Sequence, residues 1–217
     1  MKNIVILSLI ITAVFTSCKE DNKEIVVIDT AAKNEVIDAI MTRRSIRKYT
    51  EEQVSKELID TIMKCAIYAP SALNRQSWEL RVVQNQRLLN EINNRFLNYA
   101  QGKSLKGSAA NADKPGFSVF HHAPTLIIVG RDLNNPYSQV DCGFMSQNIL
   151  LSAHALGLGT CPIGSVVPVF TNPDNSDLLE MVNMPEDYGV AFCIALGYPD
   201  EAPEAKKRIA EKVKIIQ

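Results

Sequence analysis

The sequence has little of what metal centres and paired redox thiols require. Its 217 residues include three histidines, and no HExxH motif is present. The cysteines are far apart and form no CxxC pair: Cys18, Cys65, Cys142, Cys161 and Cys193. Ligand spacings of that kind are typical of zinc sites and dithiol motifs. We therefore expect no metal site and predict that the last four cysteines are small buried hydrophobic residues, although an exported location would allow a disulfide.

An excess of one charge is also missing. The chain has 23 basic and 24 acidic residues and a formal net charge of -1. Proteins that bind the nucleic acid backbone depend on a strong basic field. Nucleic acid is therefore not an expected partner.

The only long apolar run lies at the N-terminus and is too short for an ordinary transmembrane helix. Ile4 to Phe15 follows Met1-Lys2, which is typical of a signal peptide. Phe15-Thr16-Ser17-Cys18 resembles the lipobox of bacterial lipoproteins, in which the cysteine is lipidated. We predict a signal peptide at 1–17, a polar tether at 18–33 and one domain at 34–217, held at a membrane of the bacterial cell envelope through lipid on Cys18, on its periplasmic side or at the cell surface. A buried N-terminal strand with an incidental cysteine is the alternative.

Apolar periodicity predicts an order of elements that is rich in helices at first and mixed later. Predicted helices are capped by Asn34 and Ser55, contain Leu88 to Leu97, and span 137–156 and 177–184. Predicted strands span 78–83, 124–129, 160–163 and 190–196, with a long lid-like loop at 102–118 and a polar tail that could form a surface helix. Because strands and helices do not alternate strictly, we expect an α+β fold with a mixed sheet and helices packed on it.

The segment Arg43-Arg44-Ser45-Ile46-Arg47 concentrates anion-binding groups at the end of the first predicted helix. Three guanidinium groups and a hydroxyl lie within five residues, and guanidinium matches phosphate in a bidentate geometry. A basic run at a helix C-terminus is also favoured by the helix dipole and usually faces solvent. Taken alone, this segment is compatible with either an anion-binding site or a solvent-exposed helix end.

A second polar segment, Ala69 to Trp78, places Ser71, Asn74 and Gln76 in a loop just before a predicted strand. A hydroxyl and two amides can meet the polar edge of a planar heterocycle, although Ser and Asn are also common turn residues. Gly157-Leu158-Gly159 is no dinucleotide fingerprint, because it follows a helix and precedes a strand. The sequence has no convincing catalytic triad or carboxylate pair.

Four segments, taken in order, resemble the signature segments of the FMN-dependent nitroreductase family. They are Arg43 to Tyr49, Ala69 to Trp78, Ala155 to Gly164, and Gly197-Tyr198-Pro199 with Lys206-Lys207-Arg208. The resemblance extends over residues 34–210. It implies a three-layer α/β/α sandwich with a mostly antiparallel central sheet, assembled as a domain-exchanged homodimer. The sequence departs from the family pattern at Ser77, where the family usually has proline, and in the variable stretch Pro162 to Ser165.

The resemblance also implies a set of FMN-binding residues. Arg43, Ser45, Lys206 and Arg208 would hold the phosphate, with Arg44 in the same segment. Arg47 would lie beside the pyrimidine side of the ring, where a cation favours the reduced flavin. Pro70, Ser71, Asn74 and Gln76 would line the phosphate, ribityl and ring edges, and Ile163 and Gly164 would lie near N5. Within the dimer, Pro70 to Gln76 and Ile163-Gly164 would be supplied across the interface.

The activity implied by this resemblance is ping-pong electron transfer on FMN. NAD(P)H would reduce the flavin, and a nitroaromatic, a quinone or a similar small acceptor would reoxidise it, with no catalytic protein side chain required. His121 and His122 would be structural or gating residues. Because nicotinamide cofactors are cytoplasmic, an envelope location would favour another donor, such as a membrane quinol, or a flavin-dependent dehydrogenase or oxidase that uses oxygen or quinone. A non-catalytic flavin-binding electron carrier is a further alternative.

Overall fold

The computed structural model describes residues 34–217, so the predicted signal peptide, Cys18 and the tether lie outside the described residues. The helices are α1 (Glu35–Thr42), α2 (Lys56–Ile67), α3 (Gln86–Ala100), α4 (Ser138–Ala155), α5 (Val167–Thr171) and α6 (Asp177–Met181). The strands are β1 (Trp78–Val83), β2 (Thr125–Asp132), β3 (Gly159–Ile163) and β4 (Tyr188–Gly197). None of the helices within this range is long and apolar enough to span a membrane.

Side-chain caps fix where the longer helices begin. The Asn34 side chain accepts hydrogen bonds from the backbone N–H groups of Val36 and Ile37 at 3.1 and 3.2 Å. Ser55 caps α2 in the same way, and Asn85 caps α3 through the N–H of Leu88 at 3.0 Å. Each cap satisfies a donor that the helix itself leaves unpaired. The two caps predicted from sequence, Asn34 and Ser55, are thus present.

The four strands form one antiparallel sheet in the order β1-β2-β4-β3. Within residues 34–217 the one parallel pairing is an isolated bridge between Ser45 and Thr160. The predicted α+β class with a mostly antiparallel sheet is confirmed, and the parallel component comes from the Arg43–Arg47 segment lying along β3.

Helices cover both faces of this sheet and make three layers. In β2 and β4 the side chains alternate between the faces, as the period of two requires. Ile127 and Ile194 point to one face, where they pack with α2 and α4. Leu126 and Cys193 point to the other, where they pack with α3, α5 and α6. The core therefore lies in two apolar layers, and the site must be built at the rims.

Several predicted boundaries were wrong. The structure adds α5, a five-residue helix with proline in its first turn that the sequence analysis does not predict. The surface helix that the tail could form is absent: residues 198–217 have little regular secondary structure beyond one short 3-10 turn at Ala210–Lys212. Helix α6 ends at Met181 rather than Met184. Of the described cysteines, all free, Cys142, Cys161 and Cys193 are buried as predicted, whereas Cys65 is only half-buried.

The apolar stripe of α1 is not covered by the other residues of 34–217. Val36, Ile37, Ile40 and Met41 are 50–69% exposed. Further exposed apolar side chains lie on α2, on α4 and in the tail: Ile67, Tyr137, Val140, Phe144, Val213, Ile215 and Ile216. A periodic apolar stripe normally faces a core. These faces are large for a monomeric surface and are typical of interfaces.

Candidate functional site

Backbone pairing fixes most of the Arg43–Arg47 segment in place. Arg43 caps α1, donating its N–H to the Ala39 carbonyl at 3.0 Å. Ser45 then bridges Thr160, and the Ile46 N–H donates to the Thr160 carbonyl at 2.9 Å. A Cβ at Gly159 would lie 2.8 Å from Cγ1 of Ile46. Glycine is therefore required at 159 for the segment to lie this close to β3.

The chain that follows β4 runs antiparallel to the same segment. The Thr50 N–H donates to the Tyr198 carbonyl at 3.0 Å, and the Asp200 N–H donates to the Lys48 carbonyl at 2.9 Å. The Lys48 ammonium pairs with Asp200 at 2.5 Å, and the Arg47 N–H donates to the Glu201 carboxylate. This pairing carries residues 202–208 towards the arginines. The two ends of the domain, distant in sequence, meet here.

Arg43 is a half-buried cation with one buried guanidinium nitrogen. Its Nη1 is buried and has no hydrogen-bond partner among residues 34–217. Burial, followed by the charges of Arg44 and Arg208, lowers the pKa of Arg43 from its ordinary value, while Cys161 acts in the opposite direction. A buried unpaired charge is costly, and guanidinium binds phosphate in a bidentate geometry. The arrangement fits a phosphate group that would satisfy Nη1 and offset the charges of Arg208 and Arg43 together.

The neighbouring cations differ in how many hydrogen bonds they already make within the protein. Arg44 donates Nη1 to the carbonyls of Met41 and Arg43, at 2.7 and 2.9 Å, so it caps the end of α1. Arg47 is exposed and makes a long contact of 3.3 Å to the Ser45 carbonyl. Lys206 and Arg208 are exposed. Arg44 therefore has the weakest claim to bind a ligand directly.

A cavity of about 850 Å³ opens beside Arg47 and is lined by Tyr49, Phe117, His121 and Lys206, among others. Its volume is in the range of cofactor and ligand sites. The predicted lid-like loop forms one wall through Gly107, Ser108 and Asn111.

His121 and His122 form the base of that wall in an uncommon backbone conformation, with φ of 58° and 57°. Nε2 of His121 is buried without a partner among the described residues. Burial, and next the charge of Arg47, lower the pKa of His121. His122 is tied to the loop through its Nε2 and the Gly116 carbonyl, 2.9 Å apart. Left-handed backbone at two non-glycine residues is strained and is often found at functional sites.

Residues Pro70 to Gln76 lie at the opposite edge of the sheet from the arginines. They precede β1, the edge strand, while the Arg43–Arg47 segment lies along β3, the other edge. Three strand spacings separate the edges, roughly 14 Å. The structure therefore does not bring these two parts of the predicted site together within one chain.

Ile163 and Gly164 lie with the arginines. Ile163 ends β3, three residues after Thr160, which pairs with Ser45, and Gly164 follows directly. The resemblance grouped them with Pro70 to Gln76 as residues supplied across an interface. In this chain they are instead on the side of Arg43 and Arg47, because β3 and the basic segment run in parallel.

Two residues of the site escaped the sequence analysis. Glu201 accepts the Arg47 N–H, and Tyr49 donates its hydroxyl to the Ile46 carbonyl at 2.6 Å. Tyr49 belongs to the recognised segment, so its position was visible, but its role depends on the bridge to Pro199. Glu201 has no local signal, because only the long-range pairing places it there. Within residues 34–217 no group of His, Cys, Asp and Glu could hold a metal ion.

An α+β sandwich fits the class of proteins that hold a phosphate-bearing cofactor when its rim carries a half-buried arginine whose Nη1 has no partner among residues 34–217 and a second arginine, Arg47, that lines a cavity. The chain belongs to the nitroreductase family, whose model matches residues 40–198.

Relatives and solved structures agree with this assignment. The NADPH-flavin oxidoreductase of Vibrio harveyi is 32% identical over 188 residues, covering 83% of this chain and 72% of that protein. A crystal structure of a nitroreductase with bound FMN from Desulfitobacterium hafniense matches with a TM-score of 0.79 and 29% identity, covering 85% of this chain and 100% of the other. Another, from Bacteroides fragilis and also with bound FMN, matches with a TM-score of 0.78 and 28% identity over the same shares.

Proposed function

We propose that this protein is an FMN-dependent oxidoreductase that takes electrons from NAD(P)H and delivers them to small acceptors. The observation that carries the proposal is the buried Nη1 of Arg43, which has no partner among the described residues and lies near Arg208. FMN presents a phosphate to such a group, and relatives of this chain bind FMN or are named for flavin reduction.

Each part of the site has a distinct task in this proposal. Arg43, Ser45, Lys206 and Arg208 hold the phosphate, and Arg47 lies beside the ring. When bound, FMN supplies hydride and electron transfer, so the protein supplies binding, orientation and electrostatics. Charge-assisted hydrogen bonds of this type contribute about 1.5–3 kcal/mol each. The cavity beside Arg47 and His121 gives room for a planar donor or acceptor in turn.

Reconstitution and anaerobic reduction test this function. The purified domain should take up one FMN per chain. Bleaching of flavin absorbance by NADH or NADPH, followed by recovery on adding menadione or nitrofurazone, supports the oxidoreductase. Bound FMN with no turnover of any acceptor would support the electron-carrier alternative, and reduction by a quinol analogue alone would identify a different donor.

We propose further that the complete site forms in a homodimer. The arginines and Pro70 to Gln76 lie at opposite edges of one sheet, while α1 and the tail expose apolar faces that a second copy can cover. A domain exchange would bring Pro70, Ser71, Asn74 and Gln76 of one copy to the flavin site of the other.

A mixed dimer tests the exchange directly. Arg43→Ala in one copy and Asn74→Ala in the other would place both defects in one site and leave the second intact. Tagged heterodimers should then retain about half of the tight FMN sites. If both sites in the heterodimer bind as weakly as the single variants, each site belongs to one chain.

The location rests on residues outside the described range. We propose that Cys18 carries lipid and anchors the domain at the cell envelope, through the lipid alone. Mass spectrometry of the N-terminus extracted from membranes tests this. A diacyl group on Cys18 supports the anchor, and an unmodified Met1 in the soluble fraction contradicts it.

A further inference from the structure

The loop Pro70–Gln76 is held in an uncommon conformation. Leu73, Asn74 and Gln76 have φ of 55°, 53° and 51° and none of them is glycine. Its tip is open to solvent, with Leu73 86% exposed. Left-handed backbone at such residues persists only where the surroundings over-determine it. Something beneath the loop must therefore hold it.

Asp141, in the first turn of α4, contacts the loop from below. It is 2% exposed, and its Oδ1 accepts the Ala72 N–H at 3.1 Å. The other oxygen, Oδ2, is buried and has no partner among the described residues. A carboxylate is favoured near a helix N-terminus, which gives α4 a reason to hold this charge here.

A second contact to the core fixes the C-terminal end of the loop at Ser77. The buried Asn135 amide donates to the Ser77 hydroxyl at 2.6 Å. Ser138, also in the first turn of α4, donates its hydroxyl to the Ser77 carbonyl at 2.5 Å. Ser77 is the position where the resembled family usually has proline. The Ser77 hydroxyl therefore makes a hydrogen bond with Asn135 that a proline side chain at this position could not make.

The loop also closes on itself. The Gln76 N–H donates to the Ser71 hydroxyl at 3.0 Å, and the Asn74 N–H donates to the Ser71 carbonyl at 3.0 Å. These bonds define the turn but do not connect it to the rest of the domain. The connections to the core are the contacts at Ala72 and Ser77, on either side of the strained residues.

We propose that Asp141, with Asn135 and Ser77, is a polar latch that holds Pro70–Gln76 in its cofactor-binding shape. Asp141 acts as a positioning residue: it binds the loop backbone, and the loop side chains meet the flavin. This inference rests on the proposed FMN function. It adds that flavin affinity depends on a buried carboxylate that does not itself touch the cofactor.

The test compares FMN with riboflavin, which lacks the phosphate. Dissociation constants are measured by quenching of flavin fluorescence on the full domain. Asp141→Ala leaves the Ala72 N–H without its partner and should weaken FMN and riboflavin alike, by about tenfold each. Asp141→Asn keeps an acceptor for Ala72 and replaces only the unpartnered Oδ2, so it should stay within about twofold of the parent.

Two variants serve as matched references. Ser146→Ala removes a buried hydroxyl of α4 that has no partner among residues 34–217. It should change neither the FMN nor the riboflavin dissociation constant. Arg43→Ala should weaken FMN much more than riboflavin. If Asp141→Ala weakens FMN but not riboflavin, as Arg43→Ala should, the carboxylate acts by its charge and the latch is wrong. The same conclusion follows if Asp141→Asn binds FMN as weakly as Asp141→Ala does.

Ser77→Ala keeps the test valid where Asp141→Ala fails to fold. It removes one latch contact at small cost in volume and should weaken both ligands in the same proportion. The midpoint potential of the bound flavin provides a second readout, because it is measured only on folded, loaded protein. A potential that changes in Ser77→Ala and not in Ser146→Ala supports the latch, and unchanged potentials and constants overturn it. Failure of the parent protein to bind either flavin would instead refute the proposed function.

Discussion

The two halves of the proposed site, at opposite edges of the sheet, are built by opposite means. At the β3 edge, Arg43 to Arg47 is held mainly by backbone pairing, and the buried Nη1 of Arg43 has no partner among residues 34–217. At the β1 edge, Pro70 to Gln76 is neutral apart from Arg75, and its strained backbone is held by buried side chains. The β3 edge therefore contributes charged side chains from a segment in regular backbone pairing. The β1 edge contributes polar groups from a loop in an uncommon backbone conformation.

This difference indicates a division of labour. Charge-assisted bonds to phosphate are strong and tolerate modest displacement, because Arg and Lys side chains are long. Contacts to a planar ring require groups held within a fraction of an ångström, so their support must be rigid. Binding affinity should therefore come mainly from the β3 edge, and selectivity for the ring mainly from the β1 edge.

The largest effect should follow from removing charge at the β3 edge. Arg43→Ala combined with Arg208→Ala deletes two charge-assisted contacts, about 3–6 kcal/mol in total, so the FMN dissociation constant should rise by about a hundredfold or more. Fluorescence titration measures it. The exposed Arg87 in α3 provides the control, and Arg87→Ala should bind FMN normally. Full FMN occupancy in the double variant would mean that the phosphate lies elsewhere.

A backbone change at the same edge should be nearly as damaging. In Gly159→Ala the new Cβ would meet Ile46 at 2.8–3.0 Å and push the basic segment off β3. Overpacking of this kind costs about 1–3 kcal/mol. Urea unfolding should show that loss, together with weaker FMN binding. Gly143→Ala is the matched control, since its Cβ meets nothing within 4 Å in this chain.

Salt should distinguish the contributions of the two edges to flavin binding without any mutation. Raising ionic strength screens the phosphate contacts, so the FMN dissociation constant should rise several-fold between about 0.05 and 0.5 M salt. Riboflavin, bound through uncharged contacts, should change by less than about twofold. Equal salt dependence for both ligands would contradict the proposed division.

The smallest effect concerns pH and the wall of the cavity. Burial and Arg47 lower the pKa of His121 in the folded state. The unfolded chain then binds a proton more readily, so this group removes stability as pH falls through the unfolded value near 6.5 and has no effect well above it. Urea unfolding at pH 5.5 and 7.5 should show a smaller difference in His121→Gln than in the parent. A His122→Gln variant serves as the neighbouring control.

Much of this architecture could be predicted from sequence, because its signals are local. Caps at Asn34 and Ser55, the apolar run of β2 and the glycine that ends α4 each act within a few residues. The positions of the arginines at the end of α1 followed from the same local pattern.

The remainder depends on pairing between distant segments. Glu201 meets Arg47 only because residues 198–201 lie along residues 47–50, and no periodicity encodes that register. The position of Ile163 beside the basic segment depends on the same kind of long-range pairing, through the bridge between Ser45 and Thr160. The exposed stripe of α1 has the pattern of a core helix, and sequence alone cannot say whether the core belongs to its own chain or to another.

The pairing of residues 198–201 with residues 47–50 also ties the proposed phosphate site to a segment that lies beyond the sheet. All four strands end by Gly197, so a chain cut shortly after this point would retain its whole sheet. It would lack Glu201, Lys206 and Arg208, and Arg43 would face no anion-binding partner. Cofactor loading would thus report whether residues 198–208 are present and paired with the basic segment.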